Sequence, residues 1–413
     1  MTALPPDTTR SRAPMSHALA ALVMALMLGL QPVTTDLYLP ALPLLSRELA
    51  APMSAAQLTM SLVLLAFGFG QLLMGPLSDR FGRRPVLLGG LALHTLASTG
   101  AALSTTIGML IAFRALQGVG LAASVVCARA MVRDLYEPHE GAHVMAWALS
   151  GLGVIALLSP ILGGALTGWL GWRAPLAAVA MIGGLSAMVV AWRVPETVLR
   201  RDPRALSPGP LARTSLAVLR HPGFRAWASL VSATYGGLFL LLAGSSFVYI
   251  GVLGLSPWGY GLAMASASLS YLLGTFHCRR LLARRGLTGA VRQGALFTLA
   301  GGLGMAALGL AGRNEMAGVL VAHWLYSFGH GIHQPCGQAG AVGAFPQSAG
   351  VASALAGFLL ALAAFGAGLW LGVALDGTLR PLGLGLGFWA IVTATIAWTL
   401  VQRHGERFAP RTA

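Results

Sequence analysis

The chain is a series of long apolar runs separated by short polar breaks. Each run holds roughly the 20 apolar residues that a helix needs to cross the hydrocarbon core of a bilayer. The twelve runs fall at about 17–40, 54–77, 85–105, 107–130, 142–169, 173–192, 224–250, 257–278, 289–311, 315–337, 348–373 and 382–402. The pattern predicts an all-α integral membrane protein with 12 transmembrane helices.

One polar break is much longer than the others and divides the twelve runs into two sets of six. Residues 193–223 contain five prolines and are rich in arginine, which is typical of a linker. The predicted organisation is an N-terminal tail (1–16), a six-helix half (17–192), the linker (193–223), a second six-helix half (224–402) and a C-terminal tail (403–413).

The composition agrees with lipid as the main solvent of the chain. Of the 413 residues, 56% are hydrophobic and 9% are charged, whereas soluble domains carry about 25% charged residues. The mean hydropathy is +0.74. A net charge of +15 can indicate a nucleic-acid partner, but the arginines lie in short loops between apolar runs. We therefore expect the lipid bilayer to surround the chain and no nucleic acid to bind it.

The arginines also predict an orientation, and the chain contains no lysine. With the N-terminus in the cytoplasm, 22 of the 27 arginines fall in cytoplasmic segments and four on the opposite side. Arg114 lies inside a run. Because cytoplasmic loops of membrane proteins are enriched in arginine and lysine, both termini and the linker are predicted to be cytoplasmic.

A charged motif between two glycines follows the second run. The stretch from Gly75 to Pro85 fits the pattern Gly-x-Leu-small-Asp-Arg-x-Gly-Arg-Arg and resembles the signature loop of the major facilitator superfamily. The resemblance implies two halves that rock around a central site. It also implies a conformational latch at Gly75, Asp79, Arg80, Gly82, Arg83 and Arg84. The alternative is a basic loop that only fixes topology.

Two ionisable residues fall within the predicted spans of the first half. Asp36 lies about five residues from the outer end of the first span, and Arg114 lies at a comparable depth in the fourth. Charged groups at such positions are costly and mark functional sites by default. The alternatives are an interfacial carboxylate at Asp36 and an Arg114 side chain that reaches the nearer surface.

The sequences around these residues carry a second, narrower resemblance. The run from Arg114 through Gln117 to Gly120 resembles a further motif of the superfamily. Asp36-Leu-Tyr38-Leu-Pro is similar to a motif of twelve-span drug:proton antiporters, especially the Bcr/CflA exporters of bicyclomycin and phenicols. Pro160, Gly163 and Gly164 resemble the helix-packing motif of the same antiporters, although Ser159 replaces its first glycine. The resemblance implies proton coupling through Asp36 and Arg114.

These observations predict a transporter and no enzyme. We expect export of small amphipathic antimicrobials across the bacterial inner membrane, by a monomer driven by protons without cofactor or metal. Tyr38, Gln117 and Phe239 are predicted to line the substrate cavity. The alternatives are proton-coupled uptake of a small metabolite and, from another class, a membrane sensor or scaffold. The histidines at 323, 330 and 333 are read as polar lining of the cavity.

Overall fold

The first half of the chain is a row of long helices. The computed structural model describes residues 15–198 and 201–405, so most of the two predicted tails lies outside the described residues. The helices before the linker are α1 (His17–Asp36), the short α2 (Leu42–Glu48), α3 (Met53–Phe81), α4 (Arg83–Ala102), α5 (Ile107–Leu135), α6 (Pro138–Leu170) and α7 (Arg173–Arg193).

The second half repeats this arrangement after a helix within the linker. Its helices are α8 (Pro208–Arg220), α9 (Pro222–Ser246), α10 (Pro257–Leu310), α11 (Met316–Gly343), α12 (Ala349–Ala374), α13 (Arg380–Trp398) and α14 (Leu400–His404). No strand occurs in the described ranges. A π-helical turn, Phe247–Val252, extends α9, and a 3₁₀ turn, Leu39–Ala41, joins α1 to α2.

Twelve membrane passes can be traced through these helices. Ten described helical segments are long and apolar enough to cross a bilayer. One of them, α10, has 54 residues, about 80 Å at 1.5 Å per residue, which is enough for two passes. Helix α11, whose apolar sequence is interrupted by three histidines, packs against α9 and α10 and supplies the twelfth.

The bends between passes two and three and between passes eight and nine both lie at a glycine with positive φ. Gly82 ends α3 with φ 106° and ψ 151°, and Gly286 interrupts α10 with φ 65° and ψ −175°. This region of backbone space is essentially restricted to glycine. Residues 274–286 also resemble residues 75–85 weakly, with a glycine followed by arginines but without the aspartate, so this sequence repeat corresponds to a repeated bend.

The linker predicted at residues 193–223 contains a helix, α8, which the sequence analysis did not predict. Pro208 and Pro210 occupy the start of α8, where the missing N–H has no intrahelical partner in any case. Val218 of α8 is buried among residues of the second half, so the end of the linker is anchored there.

The two halves are in contact mainly at one end of the bundle. We call the end that carries residues 194–198 and 201–207 the linker end and the opposite end the distal end. At the distal end a single buried cluster includes side chains from both halves, such as Tyr38 and Met60 with Tyr249 and Tyr260. At the linker end each half has its own cluster of fully buried residues, and Leu72 of α3 packs at the edge of the second-half cluster. The fully buried cores are thus continuous at the distal end and separate at the linker end.

Close backbone approaches join the halves at the distal end. Gln57 of α3 donates a 2.7 Å hydrogen bond to the carbonyl oxygen of Ala243 on α9. Gly261 of α10 lies against the Pro160 carbonyl of α6, and Gly164 of α6 lies against the Pro257 carbonyl of α10. A β-carbon at either glycine would collide with that backbone, so small residues set the distance between the halves.

We predict that Gly286→Ala lowers thermal stability through backbone strain alone. A β-carbon at Gly286 would meet no atom within 4 Å, whereas its φ of 65° should cost an alanine on the order of 1–3 kcal/mol. The matched control is Gly89→Ala, which also has open space around it but lies within α4. Thermal unfolding of the purified protein should show a lower midpoint only for Gly286→Ala; equal midpoints would contradict the strain.

Candidate functional site

Asp36 is the last residue of α1 and lies where the two halves meet. Its carboxylate is half-buried and accepts a 2.7 Å hydrogen bond from the hydroxyl of Thr35. No ion pair to Asp36 occurs within the described part of the chain. The phenols of Tyr235 on α9 and Tyr260 on α10 are within electrostatic reach of the carboxylate. The Asp36 carboxylate therefore faces the second half, and its hydrogen-bond partner, the Thr35 hydroxyl, is a neutral group of its own helix.

The backbone around Asp36 explains its position. Pro40 and Pro43 follow closely, so the first apolar run turns through a 3₁₀ segment instead of continuing as one helix. The candidate span extends to Glu48, which puts Asp36 deeper from the distal surface than the sequence interpretation did. A carboxylate at the C-terminal end of a helix faces the negative pole of the helix dipole, the opposite of the usual preference.

Arg114 is fully buried inside the first half, and its side chain does not reach the surface. The guanidinium donates to the carbonyl oxygens of Thr34 (3.1 Å) and Thr59 (3.3 Å) and to Oε1 of Gln117 (2.5 Å). Its Cζ lies 4.4 Å from the ring centroid of Tyr38. Carbonyl dipoles and an aromatic face, without a carboxylate, thus solvate this cation.

Asp36 and Arg114 lie near each other but do not touch. The Arg114 guanidinium bonds to the carbonyl of Thr34, two residues before Asp36 in the same helix. The described contacts of the two charged groups contain no hydrogen bond or ion pair between them. The structure therefore brings the two predicted coupling residues to one region of the first half and leaves the charges unpaired.

The three residues predicted to line a substrate cavity are all buried in this conformation. The Tyr38 hydroxyl shares a 2.9 Å hydrogen bond with the hydroxyl of Thr59. Gln117 donates from Nε2 to the hydroxyl of Ser98 at 2.6 Å. Phe239 of α9 packs beside Gly368 of α12 at the interface between the halves. Tyr38 and Gln117 hold Arg114 in place here, and their role toward a substrate stays a prediction.

The residues of the predicted packing motif converge on the backbone next to Asp36. Gly163 of α6 lies against the carbonyl of Leu37, the residue that follows Asp36. Gly164 and the carbonyl of Pro160 meet α10 of the other half. The motif thus brings α1, α6 and α10 together at the one half-buried carboxylate of α1.

The charged motif at the linker end is organised around Arg83. Its guanidinium pairs with Asp79 at 2.5 Å and with Asp134 at 3.0 Å, and it donates to the hydroxyl of Ser78 at 2.7 Å. Asp134 comes from the end of α5. A buried arginine held by two carboxylates is a strong geometric constraint, so the motif ties α3, α4 and α5 together.

The start of the linker is fastened over this cluster. Glu196 accepts hydrogen bonds from the backbone N–H groups of Arg83 and Thr197, both at 2.9 Å. The backbone N–H of Asp202 donates to the carbonyl of Asp79 at 3.0 Å. An open pocket of about 420 Å³ remains beside it, lined by Asp79, Arg83, Arg133, Asp134, Thr197, Val198 and Asp202.

The other residues of the predicted latch lie around the same bend. Arg84 donates to the carbonyl of Ala191 on α7 at 2.7 Å. The Arg80 guanidinium lies 5.5 Å from the ring centroid of Phe81. A β-carbon at Gly82 would collide with the Glu196 carboxylate, whereas one at Gly75 would meet no atom within 4 Å.

Sequence reasoning missed the acidic partners of this motif. Asp134 and Glu196 were not predicted as partners, although the chain has only 12 acidic residues. At a strongly basic end of a membrane protein, the few carboxylates are expected to pair with arginines. The small number of acidic residues was therefore the sequence signal for these partners. Tyr235 and Tyr260, which face Asp36 from the second half, had no comparable signal.

The buried histidines of α11 are hydrogen-bonded within the second half. His323 Nδ1 lies 3.1 Å from the Tyr249 hydroxyl, and His330 Nδ1 lies 3.1 Å from the Thr234 hydroxyl. His333 Nε2 lies 3.2 Å from the carbonyl of Val291. Within residues 15–198 and 201–405, no group of three or more His, Cys, Asp or Glu side chains is arranged to hold a metal ion.

Asp376, the acidic residue near the distal end of α12, is a solvated loop carboxylate. Hydrogen bonds from the hydroxyl and the N–H of Thr378, at 2.6 and 2.9 Å, lower its pKa. Asp376 therefore stays ionised at neutral pH and differs in this respect from a group that takes up a proton during transport.

Comparison with known proteins assigns the fold and sequence to a family. The sequence model described as Major Facilitator Superfamily matches residues 19–368. The chain belongs to the Major Facilitator Superfamily. The family predicted from the motif at residues 75–85 is therefore confirmed, and the chain is a transporter by family.

Two curated relatives of this superfamily are drug-resistance proteins. The chain is 32% identical over 322 residues to the "Chloramphenicol resistance protein" of Pseudomonas aeruginosa, covering 78% of this chain and 75% of the relative. It is 30% identical over 339 residues to "Multidrug resistance protein D" of Escherichia coli K12, covering 82% and 84%. The predicted resemblance to drug exporters is thus supported over most of the chain.

Solved structures support the superfamily fold. The partially occluded, inward-open structure of the xylose transporter XylE from E. coli superposes with a TM-score of 0.75, covering 95% of this chain and all of that chain, at 15% identity. At this identity the likeness concerns the fold alone. It agrees with twelve passes arranged as two six-helix halves.

We predict that Asp134→Asn loosens the linker end without disturbing the distal end. The change removes one charge from the pair with Arg83 and weakens the bond from Thr197. Hydrogen bonds to charged groups contribute about 1.5–3 kcal/mol. Limited proteolysis should cleave residues 196–207 several-fold faster than in the unaltered protein.

The matched control is Glu140→Gln, which removes an exposed carboxylate from the first turn of α6. It should leave the cleavage rate unchanged. Equal cleavage rates for Asp134→Asn and the unaltered protein would contradict the role of this ion pair.

Proposed function

We propose that this protein exports small amphipathic antimicrobials in exchange for protons, by alternating access. One observation carries the proposal. The half-buried carboxylate of Asp36 has a neutral hydrogen-bond partner and faces the second half through Tyr235 and Tyr260. The buried cation Arg114 bonds to the Thr34 carbonyl of the same helix. A carboxylate in such surroundings can gain or lose a proton when the halves separate and water enters.

Arg114 is the partner that makes the protonation of Asp36 sensitive to substrate. Burial of a charged side chain in a membrane span costs roughly 2.5–3.5 kcal/mol on insertion scales, so Arg114 attracts any nearby anion. We propose that ionised Asp36 turns toward Arg114 in one conformation and that bound substrate or a proton separates them in the other. Linkage then requires that substrate and proton weaken each other's binding equally.

The conformation in which the halves are joined at the distal end corresponds to one of the two states of the transport cycle. We propose that the linker end faces the cytoplasm, in agreement with the excess of arginine in its segments and the positive-inside rule. The present conformation, with continuous cores at the distal end, is then inward-facing. Arg10 and Arg12 of the N-terminal tail contribute to this excess of arginine in the sequence but lie outside the described residues.

We further propose that the protein acts as a monomer in the bacterial inner membrane, with no cofactor. The candidate residues of the site all lie on one chain, and the drug-resistance relatives are bacterial. Proton-coupled uptake of a metabolite is the alternative from the sequence. The curated relatives named for resistance to drugs do not favour it.

We predict that Asp36→Asn abolishes efflux driven by a pH gradient while substrate exchange without a gradient persists. Asparagine keeps the shape of the side chain and an acceptor for Thr35, but it cannot titrate. In proteoliposomes, gradient-driven export of a phenicol should fall at least tenfold, whereas counterflow of labelled against unlabelled drug should stay within about twofold.

The matched control is Asp376→Asn, which neutralises an exposed carboxylate that stays ionised. It should export drug at the rate of the unaltered protein. Full pH-driven export by Asp36→Asn would remove Asp36 from the coupling. Loss of counterflow across a panel of phenicols, bicyclomycin, quinolones and dyes, in the unaltered protein as well, would contradict drug transport itself.

We predict that the limiting gradient depends on the charge of the drug. One elementary charge crossing 100 mV yields about 2.3 kcal/mol, and one pH unit adds about 1.36 kcal/mol. At about 1.4 kcal/mol per decade, exchange with one proton sustains roughly a 500-fold gradient of a neutral drug. A monovalent cation uses the pH difference alone and reaches about tenfold. Steady-state accumulation in vesicles tests this; equal limits for both drugs would contradict a single exchanged proton.

A further inference from the structure

Two of the three cysteines in the sequence come together in the second half. Cys278 of α10 and Cys336 of α11 lie with their sulfur atoms 3.4 Å apart, and both are buried free thiols. They are 58 residues apart in sequence, so neither the spacing nor a motif indicated a pair. The third cysteine, Cys127, is a buried residue of α5 in the first half.

Tight helix packing fixes the two thiols in this arrangement. On one side of the pair, Gly331 of α11 lies against the carbonyl of Tyr271 on α10. The Thr275 hydroxyl donates across the same contact to the carbonyl of Gly331 at 3.3 Å. The Cys278 thiol also lies 3.8 Å from the carbonyl of Ile332. The backbones around both cysteines are therefore held close together by contacts that do not involve sulfur.

The distance between the sulfur atoms is short enough for a covalent bond after a small movement. A disulfide has an S–S length of about 2.05 Å, so the thiols need to approach by little more than 1 Å. Rotation about the Cα–Cβ bonds moves the sulfur atoms by distances of this order. Cys127, by contrast, lies in a different buried cluster from the other two.

We propose that Cys278 and Cys336 form an oxidisable dithiol, which hydrogen peroxide, a small uncharged oxidant, converts to a disulfide between α10 and α11. In the first step one sulfur attacks the peroxide, an S–O bond forms, the O–O bond breaks, and water leaves. In the second step the other sulfur attacks the sulfenic acid, the S–S bond forms and a second water leaves. Two thiols and one hydrogen peroxide thus give one disulfide and two waters.

The surroundings of the pair select the oxidant. Both cysteines belong to an apolar cluster with Leu281, Val291 and Ile332, and a charged reagent would lose its hydration there without a partner. Hydrogen peroxide is small and neutral, whereas tetrathionate is a dianion. The disulfide would join two helices of the same six-helix half, so it leaves the interface between the halves unaltered.

The test counts thiols in the full-length protein in lipid nanodiscs. After treatment with hydrogen peroxide the protein is denatured and labelled with a maleimide polymer that adds a visible mass per thiol. The unaltered protein should fall from three free thiols to one and recover three with dithiothreitol. Tetrathionate at matched oxidising strength should leave three. Peptide mapping of the unaltered protein should find Cys278 linked to Cys336.

Matched variants identify the pair. Cys127→Ser should fall from two thiols to none, whereas Cys336→Ser should form no disulfide within the chain. Three thiols remaining in the folded protein, under peroxide that oxidises the detergent-unfolded chain, would overturn the proposal. A mapped link to Cys127, or between two chains, would overturn it as well, and equal oxidation by tetrathionate would overturn the selection of neutral oxidants.

Discussion

Close approach of helix backbones, set by glycine, holds this molecule together. Lipid offers little hydrophobic driving force between helices, so their association depends on van der Waals contact and on hydrogen bonds. The reciprocal contacts of Gly164 with Pro257 and of Gly261 with Pro160 join the halves at the distal end. Gly163 uses the same kind of contact to seat α6 against the residue after Asp36. The position of the candidate coupling site therefore follows from the contact that closes the distal end.

Two arginines of the first half have different kinds of partner at the linker end and within the bundle. At the linker end, where water is near, Arg83 is paired with two carboxylates. Within the bundle, Arg114 has carbonyl oxygens, an amide and a tyrosine ring instead. Neutral dipoles thus solvate this buried cation, whereas carboxylates do so for Arg83.

Much of the fold could be predicted because lipid makes strict demands on sequence. Every pass needs a long apolar run, and this periodicity gave the twelve passes and their division. A weak repeat of glycine and arginine marks the positions of Gly82 and Gly286 in the sequence, but the bends themselves were not predicted. Helix α8 was not predicted, because prolines at its first turn look the same in sequence as prolines in an irregular loop. The α11 histidines were recognised as polar residues of a span, but their partners on α9 and α10 depend on tertiary packing.

The candidate site was predictable to the level of residue type. Asp36 and Arg114 stood out because ionisable residues are rare within apolar runs. That Arg114 would bond to the carbonyl of Thr34 depends on a contact between α1 and α5, to which no sequence pattern points. The same holds for Asp134 and Glu196, which come from separate segments to meet Arg83. Local sequence indicates which groups need a partner, and the packing of distant segments determines which partner they find.

The anchoring of the linker has a mechanical consequence. Its first part is bound to the first half through Glu196 and Asp202, and α8 is packed onto the second half. Residues 203–207 and the part of α8 before Val218 connect the two attachments. At no more than about 3.6 Å per extended residue and about 1.5 Å per helical residue, this tether limits the separation of Asp202 and Val218 to roughly 35 Å. The length of the linker therefore sets an upper limit on the width of the linker end. Lengthening or cutting the linker would change how far the two halves can separate there.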